Sequence, residues 1–213
     1  MSKILVGIVD YDCGNLHSIK NALDSIKVKN FLIKNNPSFE KASHIILPGV
    51  GAYDKAMKSL RTLNLIKSIN EFHKKKKPIL GICLGMQLLF ESSKENNFSK
   101  GLGLLKGKVQ KIKASFPDKI PIVGWNKVNL DPKNNNILFK GINNNSYFYF
   151  IHSYMVIPDQ KNGEFNVNYN FYDKFEVTAA VTKLKSNLFG CQFHPEKSGK
   201  LGIRILQNFI NIS

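Results

Sequence analysis

The sequence predicts an α/β fold: a doubly wound, mostly parallel central sheet with helices on both faces and an additional antiparallel strand region. Short continuous apolar runs at residues 4–9, 31–33, 45–47 and 78–82 have the pattern of strands buried on both faces of a sheet. Amphipathic stretches with helical spacing lie between them. A glycine-flanked turn, Gly81-Ile82-Cys83-Leu84-Gly85, joins the last of these strands to a helix.

Taken in order, Ile4 to Val9 predicts a central strand, and the turn-rich segment Asp10-Tyr11-Asp12-Cys13-Gly14-Asn15 ends it. Ile19, Ala22, Leu23 and Ile26 then fall on one helix face. Two further strands follow, and the second stops at Pro48-Gly49-Val50-Gly51. Leu60, Leu63, Ile66, Ile69 and Phe72 predict a second amphipathic helix, which ends in the lysine run before Pro78. With the strand at 78–82 and a helix after it, residues up to about 95 read β-α-β-β-α-β-α. The second half offers strands at 108–112, 147–151, 165–169, 177–182 and 188–193, and no helical periodicity until Leu201. Asparagine clusters at 134–136 and 143–145, with Pro132, Gly141, Pro158 and Gly163, mark turns between strands rather than a linker. One domain over residues 1–213 is expected.

The bulk properties narrow the class. With 213 residues, 43% of them hydrophobic, the chain is long enough to bury a sizeable core. No apolar stretch approaches the roughly eighteen residues of a membrane span. Met1-Ser2-Lys3 leads directly into apolar residues without a secretory signal pattern, so a soluble, cytoplasmic protein is expected. Three cysteines, Cys13, Cys83 and Cys191, make no C-x-x-C pair and no disulfide framework, in keeping with a reducing compartment. The formal charge of +16 would suit nucleic acid or an acidic partner. Most lysines are scattered, however, and the run from Lys74 to Lys77 has no interleaved aromatic residues to stack on bases. A solvated basic surface explains the charge, and neither nucleic acid nor membrane is expected as a partner.

The chemistry starts at Cys83. A strand-to-helix turn of the form G-x-C-x-G has the pattern of a nucleophile elbow, which presents a side chain at a helix N-terminus where the positive end of the macrodipole favours a thiolate. A buried structural cysteine is the plain alternative, and glycines on both sides weigh against it. A thiolate nucleophile needs a base and a group that orients the base. Of the histidines His17, His44, His73, His152 and His194, only His194 follows an apolar strand and has an acid two residues on, in Phe193-His194-Pro195-Glu196. Pro195 fixes the backbone between them, so His194 and Glu196 can face the same way at a strand's carboxyl end, where α/β sites lie. Acyl transfer also requires oxyanion donors. The amide of Leu84 follows the nucleophile, and the Pro48-Gly49-Val50-Gly51 loop can supply a second donor.

The elbow, the Phe193-His194-Pro195-Glu196 segment and the Pro48-Gly51 loop together resemble the class I, triad-type glutamine amidotransferases, whose fold is flavodoxin-like. Asp10-Tyr11-Asp12-Cys13-Gly14-Asn15-Leu16, Gly124-Trp125-Asn126, Tyr149-Phe150-Ile151-His152-Ser153-Tyr154 and Gln192 to Gly199 extend the resemblance over nearly the whole chain. They point to the subunit type that works in histidine biosynthesis as a heterodimer with a (β/α)8-barrel cyclase. The resemblance implies a glutaminase with the triad Cys83, His194 and Glu196, and with oxyanion donors from Val50 or Gly51 and from Leu84. It implies that Gly49, Gln87, Ser153 and Tyr154 help to hold glutamine, and that Asn15, Tyr149 and Lys197 lie near the face through which ammonia passes to the cyclase. It implies neither a cofactor nor a metal.

One position departs from the family pattern. A histidine usually follows the proline before Gly-Trp-Asn, and here Pro121 is followed by Ile122. Subunits serving another ammonia acceptor, such as synthases that amidinate surface sugars, remain an alternative. So does a cysteine peptidase or γ-glutamyl hydrolase, against which Gln87 and the segment around Trp125 speak. A non-catalytic partner-binding protein is a third reading, disfavoured by the intact triad.

Overall fold

The computed structural model describes residues 4–113, 120–130, 136–159, 165–171 and 175–212. In chain order the first half comprises β1 (Val6–Val9), α1 (Leu16–Ser25), β2 (Asn30–Ile33), β3 (His44–Leu47), α2 (Tyr53–Thr62), α3 (Leu65–Lys74), β4 (Ile79–Ile82) and α4 (Leu84–Leu88). The remainder comprises β5 (Phe90–Ser93), β6 (Ser99–Lys100), β7 (Leu105–Lys111), β8 (Ile122–Val128), β9 (Ser146–His152), β10 (Tyr154–Pro158), β11 (Phe165–Phe171), β12 (Phe175–Lys183), β13 (Leu188–Cys191) and α5 (Gly199–Ile210).

The centre is a seven-stranded sheet in the order β11-β12-β13-β4-β3-β1-β2. The run from β13 to β2 is parallel throughout, and β12 and β11 add an antiparallel margin beyond β13. Alternate strand residues face opposite ways, and both sets are buried. Val6, Ile8, Ile46, Leu80 and Phe189 pack with Ile19 and Leu23 of α1 and Ile205, Leu206 and Phe209 of α5. Val9, Ile45, Leu47, Ile79 and Leu188 pack with Ala56, Met57 and Leu60 of α2 and Leu65, Ile69 and Phe72 of α3. Burial on both faces is why these strands read as unbroken apolar runs. The doubly wound expectation therefore holds, including its antiparallel addition.

Two helices differ from the sequence reading. The single helix expected through Leu60 and Phe72 is two, because Asn64 adopts a left-handed conformation (φ 55°) and turns the chain between α2 and α3. Apolar spacing runs through this break because both helices bury against the same sheet face. The helix after the elbow is only five residues long, and the chain then turns into β5. β5 belongs to a smaller sheet in the order β10-β7-β5-β6. β8 and β9 form a separate antiparallel hairpin. The asparagine cluster at 143–145 does sit at its turn, with Asn145 at φ 60°; Pro132, Asn134, Asn135 and Gly163 lie outside the described residues.

Candidate functional site

Cys83 stands at the carboxyl end of β4, beside β3 and β13, and its backbone is at φ 53° and ψ −112°. Such a conformation costs a non-glycine residue about 1–3 kcal/mol and persists only when the surroundings impose it. They do so here: the amide of Cys83 donates to Cys191 O at 2.7 Å, and its carbonyl accepts from Gln87 N at 3.2 Å. The flanking glycines serve close approach rather than the bend itself. A Cβ on Gly85 would lie 1.8 Å from Leu47 O, and one on Gly81 would lie 2.7 Å from backbone atoms of Gly85 and Met86. α4 can seat its first turn against β3 and β4 only because both positions lack side chains. The Leu84 amide opens α4 and so has no partner four residues back.

β13 ends at Cys191, and the chain then carries Gln192, Phe193 and His194 past the elbow. Ser198 secures this turn: its hydroxyl donates to His194 O at 2.6 Å and accepts from Tyr149 N at 3.0 Å, while His194 N donates to Tyr149 O at 2.9 Å. His194 Nδ1 lies 2.8 Å from Glu196 Oε1, as the proline between them leads the sequence reading to expect. A short helical turn, Pro195–Lys197, carries Glu196.

Burial alone would push the His194 imidazolium toward deprotonation. The nearby Cys83 and the hydrogen-bonded Glu196 outweigh it and raise the His194 pKa to about 10. His152, at the end of β9 and on the same pocket wall, is driven the other way. Desolvation and the nearby His194 charge lower its pKa to about 4, against the carbonyl of Tyr154 that its Nδ1 meets at 2.7 Å. One histidine is held as a cation and the other as a neutral ring.

Cys83, Leu84 and His194 open onto a pocket of about 260 Å³, whose other lining residues include Val50, Gly51, Gln87, Ser153 and Tyr154. Among the residues expected to hold glutamine or the oxyanion, Gly49 is set apart. It packs behind the pocket, where a Cβ would meet the Tyr11 hydroxyl at 2.7 Å and Gly85 N at 2.8 Å. Gly51, at φ 100° with nothing within 4 Å of a Cβ, borders open space. The Tyr11 hydroxyl donates to Pro48 O and so anchors the start of this loop.

The site also contains residues whose roles sequence reasoning misses. Glu95 lines it, with Oε2 accepting from Tyr53 N at 2.9 Å at the start of α2; burial raises its pKa, the Tyr53 amide opposes this, and Asp54 adds to it. His152 and Gln192 stand out in the sequence only as parts of longer motifs. Gln192 Nε2 lies 3.6 Å from Cys83 Sγ. No local pattern marks Glu95, because it reaches the pocket from the loop after β5, a strand whose residues read as helix in the sequence.

Of the three residues expected near a partner, Tyr149 and Lys197 are neighbours, and Asn15 stands at the start of α1. The side chain of Asn15 caps α1 by accepting from Ser18 N at 3.2 Å. Lys197 Nζ sits 5.8 Å from the centroid of the Tyr149 ring, a cation–π arrangement. Tyr149 pairs with Trp125 across the β8–β9 hairpin, and Val123 and Ile151 pair beside them on the same face. Val123, Trp125, Tyr147 and Ile151 are 41–56% exposed, a concentration of apolar surface on one side of a hairpin. Among the described residues, no cluster of three or more His, Cys, Asp or Glu is arranged to hold a metal, and no helix is long and apolar enough to cross a membrane.

Comparison with known proteins agrees with this geometry. The family described as Glutamine amidotransferase class-I matches residues 8–212, and the chain belongs to that family. Within it, the chain groups with the imidazole glycerol phosphate synthase subunits HisH. It is 43% identical to the one from Prochlorococcus marinus subsp. pastoris over 96% of this chain and 97% of that protein. It is 43% identical to the HisH protein from Methanocaldococcus jannaschii over 98% of this chain and the whole of that one. Solved structures share the fold at lower identity. PurLQS from Thermotoga maritima gives a TM-score of 0.74 at 20% identity, covering 98% of each chain. A putative GMP synthase component from Thermoplasma acidophilum gives a TM-score of 0.71 at 19% identity, covering 100% of this chain and 94% of that one.

Proposed function

We propose that the chain is the glutaminase subunit of an imidazole glycerol phosphate synthase, acting as one amidotransferase domain in the cytoplasm and delivering ammonia to a cyclase subunit in histidine biosynthesis. The observation that carries this reading is the convergence of Cys83 and His194, the latter held by Glu196, on a pocket lined by Gln87, Glu95 and Tyr154. Full-length similarity to HisH subunits supports the choice of synthase.

In this reading the Cys83 thiolate attacks the carboxamide carbon of glutamine. His194, held cationic by its neighbours, is poised to give its proton to the departing ammonia. Neutral after that transfer, His194 takes a proton from water as it attacks the thioester, and glutamate is released. Glu196 fixes the ring and its tautomer and stabilises the imidazolium. The oxyanion is received by the Leu84 amide and by an amide of Val50 or Gly51, which border the same pocket. Glu95 gives the pocket a carboxylate to meet the α-ammonium group of the substrate, and the Ser153 and Tyr154 backbone lines the wall beside it. An acidic side chain of that kind suits an amino-acid substrate.

Ammonia is mostly protonated near neutral pH and then no nucleophile, which favours direct transfer to the acceptor through a protected path. The exposed face of Val123, Trp125, Tyr147 and Ile151, continuous with Tyr149 and Lys197, suits docking of the (β/α)8-barrel cyclase. Glutamate release from glutamine, measured for the purified chain with its cyclase, tests the triad: Cys83→Ala and His194→Asn should each abolish it. Activity surviving in Cys83→Ala would refute the assignment.

A further inference from the structure

We propose that Gln192 is a positioning residue for the nucleophile: its amide donates to the Cys83 sulfur and, through Gln87, links that sulfur to the wall of the substrate pocket. This inference rests on the reading of Cys83 as nucleophile and adds to it a residue outside the triad.

The orientation of both amides follows from one carbonyl. The terminal atom of Gln87 that faces Tyr154 O at 3.1 Å must be the NH2 group, because a backbone carbonyl can only accept. The same Gln87 Nε2 lies 3.0 Å from the Gln192 side chain, so Gln192 must present its oxygen there. Its remaining terminal atom, 3.6 Å from Cys83 Sγ, is then the NH2 group. A donor is thereby directed at the sulfur by a chain of hydrogen bonds that starts at Tyr154, a residue lining the pocket.

The arrangement is built rather than incidental. Gln192 is fully buried, and its backbone N–H donates to Ala179 O at 2.8 Å, which fixes its place beside β12. A hydrogen bond to a charged acceptor is stronger than one to a neutral acceptor, so the contact favours the thiolate over the thiol. Gln87 has spent both amide hydrogens, on Tyr154 and on Gln192. It can meet the substrate only through its oxygen, as an acceptor suited to the α-ammonium group. Disturbance at that oxygen would reach the sulfur through Gln192.

The test is the rate of Cys83 alkylation by iodoacetamide as a function of pH in the full-length chain, followed on the Cys83 peptide by mass spectrometry, with a thermal melt of each variant. Gln192→Met keeps the size and loses the donor. At pH 7 its Cys83 should react about tenfold more slowly than wild type, converging with wild type at high pH. Gln192→Glu keeps the shape and polarity, sets a carboxylate beside the sulfur, and should be slower still at pH 7. A merely structural role would lower the melting temperature and leave the profile unshifted. Unshifted profiles in either folded variant, with Cys83→Ala devoid of glutaminase activity, would overturn this inference alone. Glutaminase activity surviving in Cys83→Ala would overturn the underlying reading and this one with it.

Discussion

His194 Nδ1 and Glu196 Oε1 meet at 2.8 Å with their side chains only 3% and 1% exposed, so a charged pair is sealed into the carboxyl edge of the sheet. Glu196→Gln keeps the shape and removes the charge that steadies the imidazolium. We expect kcat for glutamine hydrolysis to fall by about a hundredfold or more, with KM changed little, because the lost interaction belongs to the reaction rather than to substrate binding. Steady-state kinetics in the assembled complex measure this; a change confined to KM would contradict it.

The two histidines of the site predict opposite limbs of the stability profile. The His194 pKa is raised to about 10, so its contribution is fully present below its unfolded value of roughly 6.5 and is lost as pH rises toward 10. The melting-temperature advantage of wild type over His194→Asn should therefore shrink between neutral pH and pH 10. The His152 pKa is lowered to about 4, so its contribution is present above roughly 6.5 and is lost as pH falls toward 4. His152→Asn should flatten the acid limb and leave the alkaline limb alone. Thermal melts across pH check both signs.

Glycines that look alike in the sequence should behave differently. Gly85→Ala would set a methyl group 1.8 Å from Leu47 O, against the backbone at the end of β3, and should cost about 4 kcal/mol or more. Gly141, at φ 74°, has nothing within 4 Å of a Cβ, so Gly141→Ala should cost about 1 kcal/mol from conformation alone. Chemical denaturation of the two variants separates the cases.

Trp125 is 54% exposed and lies edge-on to Tyr149 at 6.1 Å between ring centroids. Trp125→Ala should leave the melting temperature of the free chain nearly unchanged. Its affinity for the cyclase should drop by about 2 kcal/mol, roughly thirtyfold in Kd, as for an aromatic anchor at the centre of an interface. Calorimetric titration with the cyclase reads it; an unchanged Kd would remove this face from the docking surface.

Much of the fold and part of the site are legible in the sequence, for identifiable reasons. β1, β3 and β4 are buried on both faces, and that condition writes an unbroken apolar run. Cys83 and the His194–Glu196 pair are local to a strand end or a two-residue spacing, so their geometry can be anticipated. The division of α2 from α3 is not legible, because one left-handed Asn64 leaves the apolar periodicity intact. Nor is β5, since Leu88, Leu89 and Phe90 are all buried and carry no period. Glu95, His152 and Gln192 escape for a different reason. Their roles rest on tertiary contacts: Glu95 and His152 line the pocket from separate segments, and only the fold brings the buried Gln192 amide to the Cys83 sulfur.

The central claim is that Cys83 releases ammonia for a cyclase, and one measurement addresses it most directly: glutamate release by the purified chain, alone and with the cyclase, in the presence and absence of the phosphorylated ribulosyl aminoimidazole-carboxamide substrate. The account predicts slow hydrolysis by the free chain, strong stimulation when the cyclase holds its substrate, and none of either in Cys83→Ala. A free chain as active as the complex, or a cyclase that leaves the rate unchanged, would contradict it.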